Sequence, residues 1–197
     1  MRDNLQDLHS VKYRTDVLQT RNNIVDAIED MDPKRIEYFG QALRMHKDHW
    51  IYIAGNGGSA MNAGHFGEDL EALGYKVNWL GSNPGRATAL TNDKPRDYFY
   101  TLQMPGFTKN DALVLFTVHG CTGAQDAGKW SQNLFHSANL CRDANGGLFV
   151  FSGLNGGDLA KFHRGNFITC SSGDGKVVEP FCDALLHLVL QVLEAIQ

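Results

Sequence analysis

Two pairs of residues in this chain have the types and the spacing to do chemistry together. His65 and Asp69 stand four apart, as do Asp183 and His187. Four residues is one helical turn, so each pair leaves a single helix face. Just ahead of the first pair lies Gly55-Asn56-Gly57-Gly58-Ser59, entered from the apolar run Ile51 to Ala54. Glycines let the backbone turn sharply and leave peptide N–H groups uncovered, and the helix that follows adds the positive end of its dipole. An anion suits such a loop, although the same glycines also serve in plain strand-to-helix turns. The polar face one turn further on favours a site. A lone histidine on an apolar helix is an ordinary hydrogen-bonded core residue. Beside His65 and Asp69, however, His187 becomes a metal-ligand candidate, since two imidazoles with one or two carboxylates suit zinc. Glu179 sits one turn before Asp183 on the same line.

The elements that must position these groups follow from the apolar pattern. Short runs at Ile51 to Ala54, Val77 to Leu80, Ala112 to Phe116, Leu148 to Phe151 and Phe167 to Thr169 predict strands. Helical patterns run from Ser59 to Leu73, around Arg96 to Gln103, from Gln125 to about Cys141, and from Pro180 to Ile196. Alternation of this kind predicts right-handed crossovers and a five-stranded parallel sheet covered on both faces, with ligands beyond the carboxyl ends of its strands. Glycine and polar residues gather at those ends: Gly55 to Ser59, Thr117 to Gly123, and Gly153 to Gly157. Residues 1–48 read as helices broken at Asp32-Pro33, with Val17, Ile24, Val25, Ile28 and Met31 before the break and Ile36, Phe39 and Leu43 after it at helical spacing. They form an arm ahead of an α/β core at 49–197, within one domain. Amphipathic helices in that place pack on their own core or on another copy of the chain.

Whole-chain properties narrow the function classes. At 197 residues, one core is expected. The net charge is −4 with scattered basic residues, which argues against a nucleic-acid partner. The four cysteines show no CxxC spacing, and reduced thiols in a cytoplasm fit best. No stretch approaches the roughly 20 apolar residues of a membrane span, and MRDNLQDLHS has no signal-peptide core.

Three stretches carry a family resemblance: GNGGSAMNAGHFGED at Gly55 to Asp69, ALTND at Ala89 to Asp93, and HLVLQVLE at His187 to Glu194. In these the chain resembles the sugar isomerase (SIS) domain proteins, and among them the phosphoheptose isomerase family. The resemblance implies a single SIS α/β domain, homotetramers formed through the N-terminal helices, and interconversion of sedoheptulose 7-phosphate and a heptose 7-phosphate through an enediol. It also implies one zinc ion per subunit, held by His65, Asp69, Glu179 and His187. Asp69 is then the base and His187 its acid–base partner, while Asn56, Gly57, Ser59, Asp93, Thr117, His119 and Thr122 hold the sugar phosphate.

This chain departs from that family at several of those positions. Asp69 stands where the family has Glu, so its carboxylate is set back by about 1.5 Å, a real distance for a base. A carboxylate bound tightly to zinc is a poor base, which leaves Glu68 as a second candidate. Glu179 stands where the family has Gln and adds negative charge. The family's hydroxyl-rich phosphate loop reads here Thr117-Val118-His119-Gly120-Cys121-Thr122. A protonated His119 binds phosphate, whereas a neutral one filling the pocket selects a different substrate. Gly173 to Lys176 also differ, and Lys176 offers a compensating charge. Two rival readings share the fold: a non-catalytic oligomeric adaptor, and a regulatory protein that binds a sugar phosphate without converting it. Neither has a physical need for the His65, Asp69, Glu179 and His187 set.

Overall fold

Each apolar run becomes a strand, and each strand ends where glycine or a polar residue appears. The structure, a computed structural model, describes residues 3–124 and 130–196, with side chains from residue 13 onward. Strands β1 (Trp50–Gly55), β2 (Lys76–Trp79), β3 (Ala112–Thr117), β4 (Gly147–Ser152) and β5 (Asn166–Thr169) form one parallel sheet in the order β2-β1-β3-β4-β5. Ile53 pairs with Trp79 on one side and Val114 on the other. From β1 the chain goes first to one neighbour and later to the opposite one. That reversal opens a crevice between the carboxyl ends of β1 and β3.

The period of two sorts side chains onto two cores. Ile51, Ile53, Val114, Phe116, Phe149 and Phe151 face one layer, made by α2 (Pro33–Arg44), α3 (Gly58–Ala72) and α7 (Gly175–Ala195). Tyr52, Ala54, Leu113, Leu115 and Val150 face the other, where α5 (Gln132–Asp143) and α6 (Gly157–Phe162) lie. The N-terminal helices α1 (Asp3–Glu29) and α2 pack along α7. Asp32 accepts the Lys34 N–H at 3.0 Å, and Pro33 opens α2. Phe39 meets Phe149 and Phe151 at ring-centre distances of 5.2 and 4.9 Å. Burial of that one ring contributes about 2–3 kcal/mol and ties the arm to the sheet.

The structure corrects several element boundaries. The last helix begins at Gly175, with the Asp174 side chain accepting the Lys176 N–H at 3.0 Å, so Pro180 lies inside α7. The Lys176 carbonyl that Pro180 cannot serve belongs to an exposed residue, open to solvent. Residues Arg96 to Gln103 form two 3₁₀ turns. The helix expected from Gln125 begins, among the described residues, at Gln132, and 125–129 lie outside them. A further helix, α4 (Pro84–Asp93), buries no residue and so shows no apolar period to read. Its one local sign is the Asn83-Pro84 start, with Asn83 capping the Arg86 N–H at 3.0 Å.

Candidate active site

The crevice at the switch point is lined by the expected glycine loop. Gly55 ends β1 so close to the first turn of α3 that a Cβ there would lie 2.3 Å from the Ser59 carbonyl oxygen. Gly57, with φ at +60°, turns the chain into α3 in a conformation side chains rarely adopt. A cavity of 250 Å³ opens beside them, lined by Asn56, Gly57, Ser59, Thr117, His119 and neighbours. Ser59 and Thr117 are buried hydroxyls at its base. An adjoining cavity of 540 Å³ shares Asn56 and Gly57 and adds Arg96, Asp97 and Trp130. The helix N-terminus and hydroxyl donors of the first cavity, with the Arg96 guanidinium lining the second, are groups of the kind that suit a phosphate. A larger cavity of 610 Å³ beside α1 is lined by Asp26 and Asp30 and by no cation, which suits an anion poorly.

Residues that pattern reading did not identify set this loop. The Tyr100 hydroxyl donates to the Gly55 carbonyl and lies 3.1 Å from Asn56 Oδ1. Asn56 and Asn133 exchange side-chain hydrogen bonds at 3.0 Å. The buried Asp158 carboxylate accepts the Gly123 N–H at 2.7 Å, and the Leu159 N–H donates to the Gly120 carbonyl at 3.0 Å. The loops after β3 and β4 are thereby locked to each other. Burial pushes the Tyr100 hydroxyl up to about 12, with Arg96 opposing. The folded protein therefore keeps this proton over a range where the unfolded chain, at about 10, has lost it. Stability is fully present below about pH 10 and falls by roughly 2–3 kcal/mol as pH rises through 12. Urea unfolding at pH 9 to 12 should show a steeper alkaline decline in the parent protein than in Tyr100→Phe.

The second feature lies along the groove between α3 and α7. The Glu179 carboxylate stands against Gly58, where a Cβ would meet it at 2.4 Å. Asn62 Nδ2 donates to the Glu179 carbonyl at 2.9 Å. One turn further, His65 Nδ1 lies 3.1 Å from Asp183 Oδ1, and its ring is 4.9 Å from that of His187. Partners advance together on both helices, so the two run in the same direction. His65 Nε2 lies 3.4 Å from Asp69 Oδ2. Among the described residues, His65, Asp183 and His187 offer ligand atoms within 4.8 Å of one another. Imidazole and carboxylate donors on two rigid helices fit a divalent zinc, manganese or iron ion. A cavity of 440 Å³ beside them is lined by His65, Asp69 and His187.

The expected residues therefore fall into three groups. Asn56, Gly57, Ser59, Thr117 and His119 meet at the anion cavity. His65, Asp69 and His187 meet at the α3–α7 groove, with Glu179 two turns before His187 at the glycine end of that groove. Thr122 and Asp93 line neither cavity: the Thr122 hydroxyl donates to the His119 carbonyl at 2.7 Å, and Asp93 is exposed at the end of α4. Lys176 is exposed in the first turn of α7 and lines neither cavity.

An all-parallel sheet in this strand order, with its anion loops at the switch point, is the fold of the SIS, or sugar isomerase, domain. The phosphoheptose isomerase of Neisseria gonorrhoeae superimposes with a TM-score of 0.79 at 17% identity, covering 97% of this chain and 99% of that one. In sequence, the chain is 31% identical over 150 residues to the lincomycin biosynthesis protein LmbN of Streptomyces lincolnensis, covering 71% of this chain and 52% of that relative. It is 25% identical over 151 residues to the phosphoheptose isomerase of Helicobacter hepaticus, covering 74% and 72%. The chain thus spans about half the length of the first of these sequence relatives. No family model matches it. The activity named among these relatives is that of a sugar-phosphate isomerase.

Proposed function

We propose that this chain is an aldose–ketose isomerase of a phosphorylated sugar, with sedoheptulose 7-phosphate as the first substrate to test. The observation that carries the reading is the His65, Asp183 and His187 cluster with Asp69 beside it, held between α7 and the helix α3, whose N-terminus faces the anion cavity. Gly58 and His65 are seven residues apart on α3, a rise of about 10 Å. A longer sugar held by its terminal phosphate suits that separation better than a triose phosphate.

Isomerisation needs a base at the carbon beside the carbonyl and an acid at the oxygen. Asp69 takes the carbon-bound proton, and the electron pair of that C–H bond becomes the double bond of the enediol. His187 gives a proton to the carbonyl oxygen. The neighbouring hydroxyl then returns a proton to His187 while Asp69 protonates the former carbonyl carbon. His65, Asp183 and His187 would hold a divalent ion such as zinc, which when bound would supply polarisation of the sugar oxygens. Ser59, Thr117, His119 and Arg96 hold the phosphate.

Self-association belongs to the same proposal. Val17, Leu18, Val25 and Tyr38 are exposed on the arm, which supports a homotetramer assembled through residues 1–48. The four cysteines are free thiols, and no described helix is long and apolar enough to cross a membrane; the thiols support a reducing cytoplasm.

The deciding experiment is proton NMR of the protein with sedoheptulose 7-phosphate and a panel of other sugar phosphates in D₂O, with and without a chelator. Aldose formation, with deuterium entering beside the carbonyl and both effects lost to the chelator, is expected. Absence of exchange with every sugar, in folded and metal-loaded protein, would overturn the enzyme reading in favour of a sugar-phosphate-binding protein or an adaptor.

A further inference from the structure

The geometry points to a division of labour between two carboxylates: Asp183 is the carboxylate ligand of the metal, and Asp69 stays outside the coordination sphere as the base. This rests on the isomerase reading for the role of Asp69, while the ligand role of Asp183 stands on geometry alone. Three observations converge. First, the mutually close ligand atoms belong to His65, Asp183 and His187, and Asp69 is not among them. Second, the cavity beside the histidines is lined by Asp69 and His187 but not by Asp183. The carboxylate outside the cavity is the one grouped with both imidazoles, and the carboxylate inside it is the one free to meet a substrate. Third, each nitrogen of His65 faces a different carboxylate, Nδ1 at 3.1 Å from Asp183 and Nε2 at 3.4 Å from Asp69.

A neutral imidazole has one N–H and one lone pair. With its Nδ1 lone pair turned to the ion shared with Asp183, His65 keeps Nε2–H pointing at Asp69. That 3.4 Å contact favours one tautomer of the ring and steadies the Asp69 carboxylate. It also removes the conflict that a carboxylate serving as both ligand and base creates, because a metal-bound oxygen has surrendered the lone pair that would take the proton. The sequence position of Asp183 supports the arrangement: it stands one turn before His187 on α7, so a single rigid helix presents both ligands to His65.

The test uses the full chain, stripped of metal and titrated with Co²⁺, read by visible absorption, and with Zn²⁺, read by competition with a chelating dye. The parent protein should take up one ion per chain. Loss of an outer partner of a ligand costs metal affinity about 10–100-fold. Asp183→Ala should exceed that range and change the cobalt spectrum, whereas Asp69→Asn should stay within it and keep the spectrum. Asp69→Asn should nevertheless lose turnover and solvent exchange at the substrate carbon. Circular dichroism of each variant excludes unfolding, and Asp183→Glu, which keeps a carboxylate, should recover at least part of the metal uptake. The reverse pattern, with Asp69→Asn losing the ion and Asp183→Ala retaining it, would overturn the assignment, as would failure of the parent protein to bind either metal. Metal loss in Asp183→Ala with no sugar converted by the parent protein would leave the ligand assignment standing and remove the isomerase reading instead.

Discussion

Replacing His187 by alanine should lower kcat/KM on the order of a thousand-fold and empty the metal site in the same step. His187 is exposed on α7, and its ring faces that of His65 at 4.9 Å. Deleting it removes one of three clustered donors and the general acid, a role worth 10²–10⁴-fold by itself. Because the side chain leaves the core undisturbed, the melting temperature of metal-free protein should move by only a degree or two. His65→Ala should give the same double loss, and the double variant should be little worse than either single one, since residues that act as a unit are not additive. Metal content by elemental analysis, beside initial rates, checks this. Full metal occupancy in either variant would place the ion elsewhere.

Gly55→Ala should cost about 3 kcal/mol or more of stability and weaken inorganic phosphate binding at least about ten-fold, a combination that separates this glycine from an ordinary turn residue. The added methyl would lie 2.3 Å from the Ser59 carbonyl oxygen, 2.6 Å from its carbon and 2.9 Å from the Ala60 nitrogen. All three atoms are backbone in the first turn of α3, so relief requires unwinding the turn whose N–H groups we propose bind the anion. The Tyr100 and Asn56 contacts, which pin the same loop, would be lost with it. Urea denaturation and calorimetric titration with phosphate measure the two effects. A stability loss without change in phosphate affinity would mean that the anion sits elsewhere on the crevice rim.

The rival readings bear differently on these two results. An adaptor has no use for either site and should tolerate both substitutions in its own function. A phosphosugar sensor should suffer from Gly55→Ala and be indifferent to His187→Ala. Only an isomerase needs both.

The sequence by itself determined the architecture and brought forward most of the residues proposed for the site. Strand runs such as Ile51 to Ala54 and Ala112 to Phe116 are continuous apolar segments because a parallel strand is buried on both faces, so composition alone marks them. The glycine loop and the His65–Asp69 spacing were equally legible, because turn chemistry and helical period are local properties. Helix α4 was not, since a helix that buries nothing has no apolar stripe. The start of α7 was misplaced because Pro180 resembles a first-turn residue, while the real cap, Asp174, lies five residues earlier than the position expected.

Only the tertiary structure decided which carboxylate keeps company with the histidines. Along α7, Glu179, Asp183 and His187 are equivalent in spacing, and nothing local ranks them. The parallel packing of α3 against α7 does: it sets Glu179 against Gly58 and Asp183 against His65. In the same way, Arg96 and Tyr100, Asn133, and Asp158 come from three separate segments to fix and charge the anion loops. Their partners lie tens of residues away in sequence, so their roles arise from contacts that no local pattern encodes.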